Sequence, residues 1–249
     1  MEKTVSELIR ISNLTSGYNG EPIIRNISLG LFEKECFTIF GPNGSGKTTL
    51  VRSLVGILDE YNGKISHGKV EYQGEDITGL KPFELIKKRI AFLPDGGKIF
   101  PSMTVIDNLY LGGFLIQRKE MLVARIHEIM ALFPILKPLL RRRAFTLSGG
   151  ERQILALARS LIIDPKVLIL DEPSMGLSIS NQEHLFSKLN EVKQNKLVII
   201  VEQNIQLALR IADRGCVIND GCIDIIAPVD ELKANPVITA LIEKSVSHI

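Results

Sequence analysis

Apolar positions first alternate along the chain and then change period. Short alternating runs lie at residues 8–14, 27–32 and 69–72, broken by turn residues such as Tyr18-Asn19-Gly20. A period of two marks half-buried strands, so this part predicts an antiparallel β region. CFTIF, residues 36–40, is a compact apolar strand that runs directly into glycines. After it, Leu50, Val51, Leu54, Val55 and Leu58 share one helical face. Residues 105–140 follow a helical period, with Leu122, Ile126, Ile129, Met130 and Phe133 on one stripe and Pro134 and Pro138 limiting it. Strand and helix then alternate. A helix around Ile154, Leu157, Ala158 and Leu161 leads to a strand at 167–170, and one around Leu185, Leu189 and Val192 leads to a strand at 198–201. A helix around Leu207 and Ile211 should stop near Gly215, before a hairpin at 216–226 that turns on Asn219-Asp220-Gly221. Strands separated by helices predict a mainly parallel, covered sheet, hence an α/β fold.

Length and charge narrow the classes. The chain has 249 residues, 45% hydrophobic and 23% charged, as expected of one domain with a real core. A net charge of +2 gives no reason to expect nucleic acid as a partner. The basic clusters Lys87-Lys88-Arg89 and Arg141-Arg142-Arg143 read as solvated faces. No apolar run approaches the ~18–20 residues that span a bilayer, and MEKTVSELIR lacks a signal-peptide core. The expected location is therefore cytoplasmic. The three cysteines, Cys36, Cys216 and Cys222, have no zinc-type spacing. The scattered histidines His67, His127, His184 and His248 suggest neither metal nor catalysis.

GPNGSGKTT, residues 41–49, matches G-x-x-x-x-G-K-[ST] in full, after a strand and at the start of a helix. Gly41, Gly44 and Gly46 allow a loop whose N–H groups wrap anionic oxygens. Pro42, Asn43, Ser45 and Thr49 complete that loop. Lys47 is a mobile cation for β- and γ-phosphates, and Thr48 offers a hydroxyl to Mg²⁺. VLILDEP, residues 167–173, presents Asp171 and Glu172 at a strand's carboxyl end. Asp171 is the expected Mg²⁺ ligand, and Glu172 the residue that polarises the attacking water. LSGGERQ, residues 147–153, places Ser148, Gly149 and Gly150 before a helix, with Glu151 in its first turn. That is a second anion-binding helix start in one chain.

These motifs, in this order, resemble the nucleotide-binding subunit of an ABC transporter, and the resemblance covers nearly the whole chain. It implies a phosphate-loop NTPase core of RecA-like type with ATP and Mg²⁺ as cofactors. It also implies an antiparallel β subdomain and an inserted helical subdomain at about 102–146, the rest of residues 1–249 being core and β region. Two such domains pair head to tail in that family. Ser148 and Gly150 would then meet the γ-phosphate held by the partner copy, and Tyr18 would stack on adenine. Residues 174–178, SMGLS, fall where the family has a loop that contacts the partner's site.

FLPDGGKIFPSMTVIDNL, residues 93–110, together with TLSGGERQ and VEQN, is similar to one ATP-binding subunit of branched-chain amino-acid importers. In that group the ATPase pairs with a sister ATPase; for this chain a sister subunit and a second copy both stay open as partners. The group's ATPase engages integral membrane permeases from the cytoplasmic side and depends on an extracytoplasmic substrate-binding protein. Two positions depart from the wider family and a third from the subfamily. Asp95 stands where most members have a Gln that senses Mg²⁺ and water, and Gly97 replaces an Arg of the subfamily. Gln203 stands where most have a His that reaches the γ-phosphate. It can donate a hydrogen bond but does not titrate. No sustained heptads separate Lys47 from Ser148, which excludes chromosome-type members, and a single nucleotide domain excludes translation-factor members. A soluble ABC ATPase serving cofactor or complex assembly stays open as the alternative to an importer subunit.

Overall fold

The computed structural model describes residues 6–246; the first five residues and His248 lie outside the described residues. Strands β1 (Glu7–Tyr18) and β2 (Glu21–Phe32) form a hairpin across Asn19-Gly20. Positive φ at both, 53° and 88°, gives the turn the hand that matches strand twist. The chain then enters a second sheet through β3 (Cys36–Phe40), followed by helix α1 (Lys47–Leu54). It returns as β4 (Gly63–Tyr72) and the short β5 (Glu75–Asp76), which complete an antiparallel sheet in the order β2-β1-β4-β5.

Two elements absent from the sequence reading come next, α2 (Pro82–Lys87) and strand β6 (Ile90–Leu93). The region 105–140 is not one helical run. It breaks into α3 (Val105–Gly112) and α4 (Lys119–Leu132), and a 3₁₀ turn covers Pro134–Leu139. The break has a tertiary cause. A Cβ at Gly112 would lie 2.5 Å from the Arg159 carbonyl oxygen, and one at Gly113 would lie 2.2 Å from Leu122. The ends of this insert are tied together by a bridge between Thr104 and Arg143 and by the Phe145 N–H donating to the Pro101 carbonyl at 2.9 Å.

Helix α5 (Gly149–Leu161), β7 (Val167–Asp171), α6 (Ile179–Val192) and β8 (Leu197–Val201) restore the expected alternation. The next helix is shorter than expected: α7 covers only Ile205–Ala208. Lys193 Nζ donates to the Ile211 carbonyl at 2.7 Å, and the Asp213 carboxylate accepts the Cys36 N–H at 2.8 Å. Those contacts pull the chain out of the helix and into β9 (Arg214–Asn219), which pairs with β10 (Cys222–Pro228) across Asp220-Gly221. Helices α8 (Val229–Ala234) and α9 (Pro236–Val246) follow.

The main sheet runs β10-β9-β3-β8-β7-β6, with only the edge strand β10 antiparallel. Its central strands β3, β7 and β8 are buried throughout because both faces are covered, and Thr38 and Asp171 are their only polar side chains. Val198 and Ile200 pack with α5 and α6, while Leu197, Ile199 and Val201 pack towards β1, β2 and α1. Each such buried side chain contributes about 1.5–3 kcal/mol. Cys36 and Cys216 sit fully buried in the same sheet, and burial pushes both thiols up to about 12. The basic cluster at 87–89 is engaged locally, Lys88 with Glu75 at 2.6 Å and Arg89 with Asp164.

Candidate active site

Four parallel strands leave the main sheet at the same end. Gly41 follows β3, Asp171 closes β7, Glu202 and Gln203 follow β8, and Asp95 follows β6. Ligands of α/β sheets bind beyond this carboxyl edge. The loop at 41–48 turns tightly because Gly41, Gly44 and Gly46 have φ of 150°, 79° and 108°. Space also demands glycine at two of them. A Cβ at Gly41 would lie 2.1 Å from the Ile218 carbonyl oxygen, and one at Gly46 would lie 2.7 Å from Ile24. The β9–β10 turn braces the loop from behind, its Gly221 N–H donating to the Ser45 carbonyl at 3.0 Å. Helix α1 starts without a side-chain cap, which leaves its first N–H groups for an anion.

Lys47 Nζ donates to the carbonyls of Gly41 and Pro42, at 2.8 and 2.9 Å. Burial pulls its pKa below the usual lysine value, opposed by the charges of Glu172 and Asp171. Asp171 is 9% exposed. Burial first, then the charges of Glu172 and Asp95, push its carboxyl up to about 6. Asp171 Oδ1, Asp95 Oδ1 and Ser45 Oγ are all buried without a protein partner, which is uncommon for polar atoms. Together with the Thr48 hydroxyl, such oxygens fit a Mg²⁺ whose shell is completed by phosphate and water. Among the described residues no group of three or more His, Cys, Asp or Glu could hold a metal, so the fit requires phosphate oxygens.

Glu172 has φ 45°, a left-handed backbone that costs on the order of 1–3 kcal/mol for a residue with a side chain. Its neighbours impose it. The Glu172 N–H donates to the Val201 carbonyl at 2.9 Å, and its Oε1 accepts from Gln203 Nε2 at 2.8 Å. Glu202 was not singled out from sequence, yet it is 2% exposed and has a structural task. Its carboxylate accepts the Ser174 N–H at 2.8 Å and the Asn204 N–H at 3.3 Å, and burial pushes its pKa up. It thereby ties the loop at 174–178 to the exit of β8. Gln182 braces the same loop through the Ser174 and Leu177 carbonyls, at 3.3 and 3.2 Å. The visible signal for Glu202 is a polar residue directly after a wholly apolar strand.

Tyr18, Asn43, Gly44, Ser45, Gly46, Lys47, Thr48, Thr49 and Glu172 line one pocket of about 310 Å³, joined by Ile23, which sequence reasoning missed. Ser148, Gly149, Gly150 and Glu151 do not line it. They form a complete cap at the start of α5. Ser148 Oγ accepts the Glu151 N–H at 3.2 Å, and the Glu151 carboxylate accepts the Ser148 N–H at 2.7 Å. Gly150 lies against Asn181, whereas Gly149 faces open space. Gly97 has φ 51°, a left-handed backbone that disfavours a side chain, and a Cβ there would stand 2.3 Å from Gln153 Oε1 and require Gln153 to move.

The family model described as ABC transporter matches residues 24–175, which takes in the phosphate loop, the capped turn, and Asp171 and Glu172 at the end of β7. The chain belongs to the ABC transporter family. It is an ATPase that uses ATP with Mg²⁺. The chain is 34% identical to the high-affinity branched-chain amino acid transport ATP-binding protein BraG of Pseudomonas aeruginosa, over 86% of this chain and 90% of that protein. It is also 34% identical to the probable branched-chain amino acid transport ATP-binding protein LivF of Archaeoglobus fulgidus, over 90% and 94%. A phosphate import ATP-binding protein, PstB 2 of Mycobacterium tuberculosis, matches at 33% over 90% and 83%. Among solved structures, the ADP conformation of an ATP-binding cassette of an ABC transporter superposes with a TM-score of 0.83 at 26% identity, covering 95% of this chain and 98% of that one. ATP-binding subunits of this family are peripheral to the membrane and work with permeases. Among the described residues no helix of this chain is long and apolar enough to cross a bilayer.

Proposed function

We propose that this ATPase powers an importer for branched-chain or other hydrophobic amino acids from the cytoplasmic face of the membrane. The solute is supported by the likeness to BraG and LivF and by the run at 93–110. The phosphate-import relative makes the solute the part that needs its own test. The observation that carries the ATPase cycle is the separation of two finished half-sites: a phosphate pocket lined by Glu172, and a capped signature turn that does not line it. Pairing with a second copy or a sister subunit would bring Ser148 and Gly150 of one chain over the pocket of the other. The insert at about 102–146 and the Asp95 loop would pass that motion to permease subunits, and an extracytoplasmic binding protein would deliver the solute.

Within the pocket, Lys47 and the N–H groups of the phosphate loop bind the β- and γ-phosphates. Thr48 and Asp171, with Asp95 beside them, would hold Mg²⁺, which would supply neutralisation of charge on those phosphates. Tyr18 stacks on the base. Glu172 takes up the proton of the attacking water, and Gln203 orients Glu172. Glu172→Gln keeps the shape and removes the base. Nucleotide binding should be unchanged while hydrolysis falls by about 10²–10⁴-fold. Turnover near the wild-type rate with binding intact would show that another group carries the step. Expression with candidate permeases, followed by solute-stimulated hydrolysis in proteoliposomes, tests the transport assignment. Stimulation by phosphate but not by leucine, isoleucine or valine would reject the amino-acid reading.

A further inference from the structure

Tyr18 ends β1 opposite Gly63, the first residue of β4. A Cβ at Gly63 would lie 2.8 Å from Tyr18 Cδ1, so β4 makes room for the ring. The phenol oxygen is reached from the other side by α1. Arg52 Nη1 donates to it at 3.1 Å, and Thr49 Oγ1 lies 3.4 Å away. These two residues are three apart and share one helix face. The Arg52 guanidinium in turn lies 3.6 Å over the ring of Tyr61, supplied by the 3₁₀ turn Leu58–Tyr61. Arg52 does not line the phosphate pocket, whereas Tyr18 and Thr49 do.

We infer that Arg52 is a positioning residue for base recognition: stacked on Tyr61 and bonded to the Tyr18 hydroxyl, it sets the ring of Tyr18 as the platform for adenine. The inference rests on Tyr18 being that platform. A free tyrosine ring samples several rotamers, and stacking a base on it costs the entropy of fixing one. The hydroxyl tether removes that cost before the nucleotide arrives. It does so from the helix that begins with Lys47, so the base platform and the phosphate cradle are registered on one rigid element. Stacking alone reads any aromatic base, so the tether sets affinity rather than a choice among purines.

Calorimetric titration with ADP and with inorganic tripolyphosphate tests this in the intact chain. Tripolyphosphate engages the cradle without a base. Arg52→Met removes the donor and keeps the aliphatic stem; Tyr18→Phe removes only the acceptor. Each should weaken ADP binding by about two- to tenfold, the worth of one hydrogen bond. The double variant should be no weaker than either single one. Arg52→Lys should retain most of the affinity, and tripolyphosphate should bind every variant as it binds the wild type. Tyr18→Ala, which removes the platform, should cost ADP about five- to a hundredfold. Equal ADP affinity in Arg52→Met and wild type, with Tyr18→Ala still weakened, overturns the role of Arg52 and leaves the platform standing. An equal loss for tripolyphosphate also overturns it, because Arg52 would then act through its charge on Asp171 or through the fold. No effect of Tyr18→Ala removes the platform and the inference together. Should Arg52→Met lose structure, Tyr18→Phe decides alone.

Discussion

At the scale of single residues, the unusual feature is a neutral hold on the carboxylate proposed as the catalytic base. Gln203 donates to Glu172 through an amide, which keeps its donor at every pH an assay can use. A histidine there would lose its second donor near pH ~6.5. Gln203→Ala should slow turnover of the assembled transporter by about tenfold, by releasing Glu172 from one rotamer. Gln203→His should restore hydrolysis but add an inflection near pH ~6.5 to the rate profile. Steady-state hydrolysis from pH 5.5 to 8.5 measures both, and an unchanged rate in Gln203→Ala removes Gln203 from the mechanism. Both partners were legible in the sequence as polar residues at strand exits. Their hydrogen bond was not, because it depends on β7 and β8 being neighbours in the sheet, and sequence order does not state which strands pair. Ile23 was missed for a related reason: it joins the pocket only because β2 runs past the phosphate loop.

At the scale of elements, helix α5 separates what a chain needs for itself from what it offers a partner. Ser148 and Glu151 satisfy each other's backbone at the helix start, and Gly150 needs its small size beside Asn181. Gly149 has neither reason: its surroundings are open and its φ is ordinary. In the proposed pairing, a glycine there serves a surface that comes from outside the chain. Gly149→Ala should therefore leave thermal stability unchanged or raise it, within about 1 kcal/mol, while ATP hydrolysis falls at least about tenfold through loss of close approach. Differential scanning calorimetry and a phosphate-release assay on the same preparation decide it. A stability loss that accounts for the lost activity would return Gly149 to a purely internal role. The start of α5 was legible because caps and glycines are local signals. The break between α3 and α4 was not, since Gly112 is required by the distant Arg159 carbonyl. The early end of α7 was likewise set by Lys193, which arrives from another element.

At the scale of the whole molecule, a parallel sheet sends several acidic residues to one edge, and the apo fold bears the cost. Asp171 is the clearest case: burial, Glu172 and Asp95 raise its carboxyl from 3.8 to about 6. A carboxyl whose folded pKa is raised binds its proton more tightly folded than unfolded. Its folded state is therefore favoured most at low pH, and that advantage is lost as pH rises from about 4 to about 6. Above pH 6 the ionised, buried carboxylate destabilises the nucleotide-free protein by up to about 3 kcal/mol. Asp171→Asn removes this term. In EDTA, without nucleotide, urea denaturation should show the variant gaining little over the wild type at pH 4 and up to about 3 kcal/mol at pH 7.5. With saturating Mg²⁺ and ATP the order should shrink or reverse, because the wild type then gains binding energy that the variant lacks. A gain that is the same at both pH values would mean that Asp171 is not strained by charge and burial. The carboxyl edge would then be tuned for catalysis without a cost in stability.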